Sequence, residues 1–338
     1  MKYVTAVGMI VVDIIAAGLE KLAKPGEIVY ITEKPVKYVQ GGHPGNVVID
    51  LNQLGIEREK LASVSAVGND VFGDFLEEKV KKHAEVFYLK TDLYPTGMDL
   101  ILVVKNEDRR FHISPGANLA LTKEYVNQVI EKTKPKILDI RPGYSGIDSE
   151  VEDILKYAHE QGAITLLDIC RPLIRPGKVD GWQYLIPALK HVDILHCNEH
   201  EAMSLANRKD LRSAIRVLRS CGVKNIFVTH GGYGATVFIK NYEIYQPAYK
   251  VNVIDPTGAG DAFIAGWEYQ MIRRQIYELS EASTEEIIDM LAYAQACGAA
   301  CVEEIGCTTG VTQEKVQKIL RTQGEKLKEK TQVSSFEI

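Results

Sequence analysis

The segment VNVIDPTGAGDAFIAGW (251–267) places two acidic residues, Asp255 and Asp261, on either side of a run of small residues. An apolar stretch with helical spacing follows Asp261, so the segment predicts a tight turn that opens into a buried helix. Glycine lets the backbone turn sharply and lets a ligand approach the main chain. The first N–H groups of a helix lack partners inside the helix, and with the helix dipole they attract an anion. The segment therefore predicts an anion site beside a carboxylate.

The carboxylate of Asp261 would repel an anion, so its position beside such a site needs an explanation of its own. It could take a proton from a hydroxyl group that attacks a bound phosphoryl group. The alternative is structural, with Asp261 capping the helix and the glycines forming only a turn. The segment taken alone leaves both interpretations open.

Strand-like and helix-like segments alternate along most of the chain on both sides of this region. Examples are the strand-like LASVSAVG (61–68) and KILDI (136–140), and the helix-like DFLEEKVKKH (74–83) and VEDILKYAHEQG (151–162). This alternation predicts an α/β fold with a mostly parallel sheet and helices on both of its faces. In such folds, ligands bind beyond the carboxyl ends of the strands.

Two segments interrupt the alternation, at about residues 13–40 and 97–114, because each contains strands without an intervening helix. They predict a small second sheet that projects from one domain spanning residues 1–330. Residues 331–338 follow a charged helical segment and are predicted to be a flexible tail.

Composition limits the classes of function. Of 338 residues, 46% are hydrophobic and 25% charged, and the net charge of −5 argues against nucleic acid as the main partner. No apolar run approaches the roughly 20 residues that would span a membrane, and the start of the chain is typical of a first strand and not of a signal peptide. The six cysteines form no CxxC pair, which predicts buried thiols in a reducing cytoplasm.

The chain contains neither a GxxxxGK[ST] phosphate loop nor a GxGxxG fingerprint, which argues against P-loop and dinucleotide-binding architectures. Other motifs occur in order along it: GGHPGNVVIDLNQLG (41–55), AVGNDVFGDFL (66–76), SPGANLALT (114–122), an Asn-x-x-Glu pair (198–201), THGGYG (229–234) and DPTGAGD (255–261). Over roughly residues 3–315 this pattern resembles the PfkB family of carbohydrate kinases, within the ribokinase-like superfamily.

The resemblance implies a ribokinase-like fold in which the small sheet forms a lid over a sugar site. It implies that Asp261 is the catalytic base, and that the main-chain N–H groups of Gly258, Ala259 and Gly260 form an anion hole for the transferred phosphoryl group. The implied sugar-binding residues are Asp13, which is expected to end the first strand, Gly41, Gly42 and Asn46.

The resemblance also implies sites for nucleotide and metal ions. The implied nucleotide-binding residues are Thr229, Gly231, Gly232, Gly234 and Gln295. Asn198 and Glu201 are expected near Mg²⁺, although an N-cap asparagine followed by an acid in the first helical turn is an equally ordinary arrangement. Asp255 and Thr257 match a monovalent-cation site, so activation by potassium is a hypothesis.

The predicted function is therefore ATP-dependent phosphorylation of a hydroxyl group, most simply a hydroxymethyl group, of a sugar or sugar derivative. A nucleoside kinase of the same fold and a non-catalytic sugar or nucleotide sensor are the alternatives. Pairing of two lids would cover exposed sheet edges, so a homodimer is a further expectation. His43 and His200 are interpreted as local contacts or determinants of substrate shape. Arg109 and Arg110 are interpreted as solvated charges on a hairpin, with contact to an acidic or phosphorylated substrate as the alternative.

Overall fold

The computed structural model of the protein describes residues 1–31, 35–105, 107, 109–170 and 181–336. In chain order the strands are β1 (Val4–Gly8), β2 (Val11–Leu19), β3 (Lys37–Gly41), β4 (Leu61–Gly68), β5 (Glu85–Thr91), β6 (Met98–Val104), β7 (Arg110–Ser114), β8 (Ile137–Arg141), β9 (Ile164–Asp168), β10 (Ile194–Asn198), β11 (Asn225–Thr229), β12 (Ala235–Ile239), β13 (Tyr242–Gln246) and β14 (Gln332–Ser335). The helices are α1 (His43–Gln53), α2 (Val71–Lys81), α3 (Lys123–Thr133), α4 (Val151–Glu160), α5 (Glu199–Ala206), α6 (Leu211–Ser220), α7 (Ala259–Arg274), α8 (Thr284–Val302) and α9 (Gln313–Lys328).

The large sheet has the strand order β14-β13-β12-β11-β10-β9-β8-β1-β4-β5. From β11 to β5 all neighbouring strands are parallel, whereas β12, β13 and β14 are antiparallel additions at one edge. Strands such as VTAVG in β1 are buried along their whole length, as expected where helices cover both faces. The predicted α/β class is confirmed.

Helices cover the sheet from both sides and enclose two apolar cores. On one face α1, α2, α7, α8 and α9 contribute to a core in which the rings of Phe227 and Trp267 lie 4.2 Å apart. On the other face α3, α4, α5 and α6 form the second core. None of the helices in the described parts of the chain is both long and apolar enough to cross a bilayer.

The two segments that interrupt the alternation form a separate four-stranded sheet with the order β3-β2-β6-β7, called the small sheet below. Residues 32–34, 106 and 108 of these segments lie outside the described residues. The prediction that Asp13 ends the first strand is wrong. Strand β1 stops at Gly8, and the chain then enters the small sheet, where Asp13 lies within β2 opposite Asp99 of β6.

The end of the chain also differs from its prediction as a flexible tail. Residues Gln332–Ser335 form β14, which pairs antiparallel with β13 at the edge of the large sheet. Phe336 is only 2% exposed and meets the ring of Phe238 edge-on at 4.9 Å. The charged sequence that suggested fraying belongs to α9. The buried side chain of Phe336, directly after β14, anchors the edge strand to the core. Residues 337 and 338 lie outside the described part of the chain.

Candidate active site

The turn at residues 255–261 opens directly into a buried helix. Helix α7 begins at Ala259, and Gly258 precedes it with φ of 82°, a left-handed conformation that favours glycine. A Cβ atom at Gly258 would lie 2.6 Å from the carbonyl oxygen of Cys307, so the turn also lacks space for a side chain. Asp261 is buried in the first turn of α7. The N–H of Ala259 donates to the carbonyl oxygen of Pro256 at 3.4 Å, a contact outside the helix, since the first N–H groups of a helix have no partners within it.

Three side chains hold the carboxylate of Asp261. Asn46 donates from Nδ2 to Oδ2 at 2.7 Å, and its own amide is oriented by Gln40, whose Nε2 lies 3.1 Å from Asn46 Oδ1. His43 Nδ1 lies 2.9 Å from Asp261 Oδ1. Arg141 Nη2 reaches the same oxygen at 2.6 Å. Helix α1 brings His43 and Asn46 to Asp261 together because residues three apart share one face of a helix.

The contacts extend to the carboxyl ends of three neighbouring strands. His43 Nε2 lies 2.8 Å from Asp139 Oδ1 on β8, and Arg141 Nε donates to Asp168 Oδ2 at 2.9 Å. His196 on β10 contacts the other oxygen of Asp168 at 2.8 Å through Nδ1. We call these six residues the polar cluster: His43, Asp139, Arg141, Asp168, His196 and Asp261.

Sequence reasoning missed four members of the polar cluster: Asp139, Arg141, Asp168 and His196. Arg141 and Asp168 end β8 and β9, and Asp139 and His196 are the middle residues of the five-residue strands β8 and β10. That placement was the available signal, because the carboxyl ends of parallel strands in such sheets meet at the ligand site.

Charges within the polar cluster set the protonation of the predicted base. Burial raises the pKa of Asp261, but the Arg141 guanidinium and His43 outweigh burial, so the pKa lies below its ordinary value. Burial likewise opposes the charge of His43, yet Asp139 and the hydrogen bonds to Asp139 and Asp261 raise its pKa to about 9. Near neutral pH, Asp261 is therefore ionised, as a proton acceptor must be, and His43 is an imidazolium.

Ligand atoms of His43, Asp168 and Asp261 lie within 4.8 Å of one another, a spacing that would suit a metal ion. Arg141 Nη2, however, contacts both carboxylates. The cation between them is therefore a guanidinium, and these residues already have their counter-charge.

The residues implied in sugar binding lie where α1 meets the small sheet. A Cβ atom at Gly41 would overlap the carboxylate of Asp13, and Gly42 has φ of 98°. Burial, together with the neighbouring charge of Asp99, raises the pKa of Asp13 to about 8, and the charges of Asp255 and Asp261 add to the effect. Cys307 Sγ lies 3.9 Å from Asp13 Oδ2, and Cys307 also packs against Gly258, so Asp13 lies close to the turn before α7.

The five residues implied in nucleotide binding line one cavity of about 510 Å³. The cavity is bordered by Thr229, Gly231, Gly232, Gly234 and Gln295, and also by Ala259 and Gly260 from the first turn of α7. Gln295 is held in place through Nε2, which donates to Gln246 Oε1 at 2.8 Å. The predicted nucleotide residues and part of the predicted anion hole therefore share one space.

Asn198 and Glu201 form a capping box at the start of α5. Asn198 Oδ1 accepts from the N–H of Glu201 at 2.9 Å, and Glu201 Oε2 accepts from the N–H of Asn198 at 2.7 Å. The structural alternative is therefore realised here, and a metal role would be additional to it. His200, between them, is exposed on α5.

One of the two hairpin arginines is not a solvated charge. Arg109 Nη1 contacts Asp255 Oδ1 at 2.8 Å, with side chains only 18% and 13% exposed, so this part of the prediction is wrong. The small sheet is thereby connected to the turn before α7. Asp255 Oδ1 also accepts from the N–H of Thr257 at 3.0 Å. Arg110 follows the prediction, since it pairs with Glu107 at the surface.

Comparison with known proteins identifies the family and the fold. The sequence profile described as "pfkB family carbohydrate kinase" matches residues 1–314. A ribokinase of Staphylococcus aureus (strain COL) is 26% identical over 267 residues, covering 76% of this chain and 82% of the relative. An ATP-dependent 6-phosphofructokinase of Thermoanaerobacterium thermosaccharolyticum is 27% identical over 242 residues, covering 69% and 72%. A fructokinase of Xylella fastidiosa solved with bound ATP superposes with a TM-score of 0.80 at 22% identity, covering 96% of this chain and 100% of that one.

Proposed function

The chain belongs to the pfkB family of carbohydrate kinases, and from this premise we propose that it transfers the γ-phosphoryl group of ATP to a hydroxymethyl group of a sugar or sugar derivative. The supporting observation is the position of the first turn of α7. On one side this turn borders the cavity of about 510 Å³, and on the other it carries Asp261, whose carboxylate faces Asn46 and His43 of α1. A donor and an acceptor would meet at this turn.

In the proposed reaction Asp261 is the base. An unperturbed aspartate has a pKa of about 3.9, and that of Asp261 is lower still, so it cannot generate a free alkoxide. It would orient the acceptor hydroxyl and accept the proton late, as the loose transition state of phosphoryl transfer permits. The main-chain N–H groups of Gly258–Gly260 would stabilise the charge on the moving phosphoryl group.

ATP is the proposed donor because the cavity is lined by Thr229, Gly232 and Gln295 and continues to the first turn of α7. Mg²⁺ would be held near Asn198 and Glu201. The donor set fits a hydrated magnesium ion, because the capping box engages only Oε2 of Glu201 and magnesium usually binds through retained waters. When bound with ATP, Mg²⁺ would neutralise phosphate charge.

The proposed acceptor site consists of Asp13, Gly41, Gly42 and Asn46 under the small sheet, which would act as a lid. Closure of a lid would exclude water, which competes with the sugar for the phosphoryl group. Activation by potassium at Asp255 and Thr257 stays a hypothesis, and the guanidinium of Arg109, which is the cation observed at Asp255, argues against it.

A coupled ADP-release screen over sugars, sugar acids, sugar phosphates and nucleosides tests the proposal. We expect a sugar to be preferred, and Asp261→Asn to lower turnover by about 10²-fold to 10⁴-fold while ATP binding, measured by calorimetry, stays unchanged. Asp74→Asn is the matched control, because Asp74 is a surface residue of α2. Near-normal turnover of Asp261→Asn would remove the base assignment. Clear preference for a nucleoside would favour the nucleoside kinase, and binding without turnover would favour the sensor.

We further propose a cytoplasmic homodimer. All six cysteines are unpaired, as is usual in a reducing compartment. The small sheet ends in β3 and β7 and exposes Leu100 and Phe111, which a second small sheet could cover. Light scattering on a gel-filtration column should give twice the monomer mass of 37.6 kDa, and a single-chain mass would reject the dimer.

A further inference from the structure

His43 bridges two buried carboxylates from different parts of the fold. Its Nδ1 lies 2.9 Å from Asp261 Oδ1 on α7, and its Nε2 lies 2.8 Å from Asp139 Oδ1 on β8. All three side chains are at most 5% exposed. An imidazole can donate from both nitrogens only when it is protonated, so two ionised acceptors select the charged form. Burial raises the pKa of Asp139, and the charge and hydrogen bond of His43 act in the opposite direction.

The bridge affects the orientation of the Asp261 carboxylate. A carboxylate has about four acceptor positions, and three on Asp261 are filled, by His43 and Arg141 at Oδ1 and by Asn46 at Oδ2. The remaining position lies on Oδ2. If the carboxylate rotated about its last bond, this open position would turn away from the acceptor.

We propose that His43 is a positioning residue: its imidazolium, held against Asp139, fixes the carboxylate of Asp261 so that Oδ2 faces the acceptor hydroxyl. This inference rests on the proposed function. In the reaction the oxygen of the hydroxyl forms a bond to phosphorus, the bond from phosphorus to the leaving oxygen of ADP breaks, and the hydroxyl proton passes to Asp261 Oδ2. His43 keeps both of its protons throughout.

Several ionisable groups face His43 or the cluster around it. They are Asp139 and Arg141 from β8, Asp168 from β9, His196 from β10, Asp261 and Glu268 from α7, and Asp50 from α1 itself. Asp50 and Glu268 are fully buried, and neither carboxyl group has a hydrogen-bond partner among the described residues. Burial raises both of their pKa values well above the ordinary range. They are therefore neutral, and the charge of His43 is determined by its own contacts with Asp139 and Asp261.

The proposal has a signature in pH. The pKa of His43 is raised to about 9, so the imidazolium is present at neutral pH and is lost as the pH rises through that value. A neutral imidazole can donate to only one of its two carboxylates, so the bridge between Asp139 and Asp261 is then broken. Activity should consequently fall on the alkaline side with a midpoint near the pKa of His43.

The first test compares pH profiles of kcat and KM for wild type, His43→Gln and a control, from about pH 6.5 to about pH 10. We expect His43→Gln to lower kcat by about 100-fold, with little change in KM, and to lack the alkaline decline. His83→Gln is the control, because His83 contacts Asn52 outside the polar cluster, and it should retain the wild-type profile. A purely structural role would lower kcat by the same factor at every pH and leave the alkaline decline in place. That result, or a wild-type profile for His43→Gln, would overturn the proposal.

The second test does not depend on turnover. NMR of labelled histidine should show one imidazolium that titrates near pH 9 in wild type and disappears in His43→Gln. Asp139→Asn removes the other end of the bridge and should lower this pKa by about one to three units. The alkaline decline in kcat should move with it, which decides the matter if His43→Gln does not fold. An unchanged titration in Asp139→Asn would refute the bridge from Asp139 through His43 to Asp261. If NMR shows this bridge but the Asp261→Asn variant remains active, the proposed function is refuted instead.

Discussion

Replacement of Arg109 by methionine tests the link between the small sheet and the turn before α7. The change removes the charge that contacts Asp255 Oδ1 at 2.8 Å and keeps much of the apolar length of the side chain. Asp255 also accepts from Thr257 and, through Oδ2, from the N–H of Gly306 at 3.3 Å. Loss of the guanidinium should therefore loosen the turn that leads into Gly258.

The magnitude follows from how deeply the pair is buried. Exposed ion pairs contribute about 0.2–1 kcal/mol, whereas removing one partner from a buried pair costs about 3–5 kcal/mol. With side chains 18% and 13% exposed, the pair of Arg109 and Asp255 lies between these limits. A cost of about 1–3 kcal/mol corresponds to about 5-fold to 150-fold in an equilibrium or a specificity constant. We expect kcat/KM to fall by that factor for both sugar and ATP.

The assay is coupled ADP release in potassium and in tetramethylammonium salts at equal ionic strength. Wild-type rates should agree in the two salts, because the guanidinium already supplies a cation at Asp255. In Arg109→Met, potassium should restore part of the loss and tetramethylammonium, which is too large to replace it, should not. Arg110→Met is the matched control, since this neighbour pairs with Glu107 at the surface.

Two results would refute the reasoning about Arg109. Equal activity of Arg109→Met and Arg110→Met in every salt would show that the contact with Asp255 has no functional weight. Strong dependence of the wild type on potassium would show that the guanidinium does not act as the cation at this turn.

Two further predictions concern stability. Phe336→Ala should lower the free energy of unfolding in urea by about 3–5 kcal/mol, because Phe336 is buried against Phe238. Val333→Ala on the exposed side of β14 should change it by less than about 0.5 kcal/mol. A small effect of Phe336→Ala would instead support the prediction of a flexible tail. The pKa of Asp13 rises from 3.8 to about 8 on folding, so its contribution to stability is complete below pH 3.8 and is lost as the pH rises towards 8. Asp13→Asn should therefore weaken the decline in stability between those pH values, and an unchanged decline would contradict the raised pKa of the buried acid.

Much of the fold could be predicted from local pattern. Period-two and helical spacing identified the parallel sheet, its covering helices and the two segments of the small sheet, because each pattern depends on residues near one another in the chain. The turn into α7 was equally visible, since glycines before a buried helix leave little structural choice. The tail could not be predicted in this way, because β14 depends on pairing with β13, about ninety residues earlier in the chain.

The site was only partly predictable, for a related physical reason. Asp261, Asn46 and the glycines have properties that local sequence reveals, namely a charge or a lack of bulk at the start of a helix. The roles of Asp139 and Asp168 depend on the order of strands, which sets β8 beside β9, and on the packing of α1 against both β8 and α7. Polar residues at strand ends could have been noted, but their partners could not have been assigned.

The polar cluster shows why its members cannot be interpreted one at a time. It contains three carboxylates, on Asp139, Asp168 and Asp261, together with Arg141 and two histidines. A buried carboxylate without a partner would take up a proton and could not act as a base, as Asp50 illustrates on the adjacent helix. Asp261 keeps its charge in an equally buried position because the cationic side chains of Arg141 and His43 contact it. The histidine at position 43, which looked like a local contact in the sequence, is in this sense part of what makes the aspartate 218 residues later ionised.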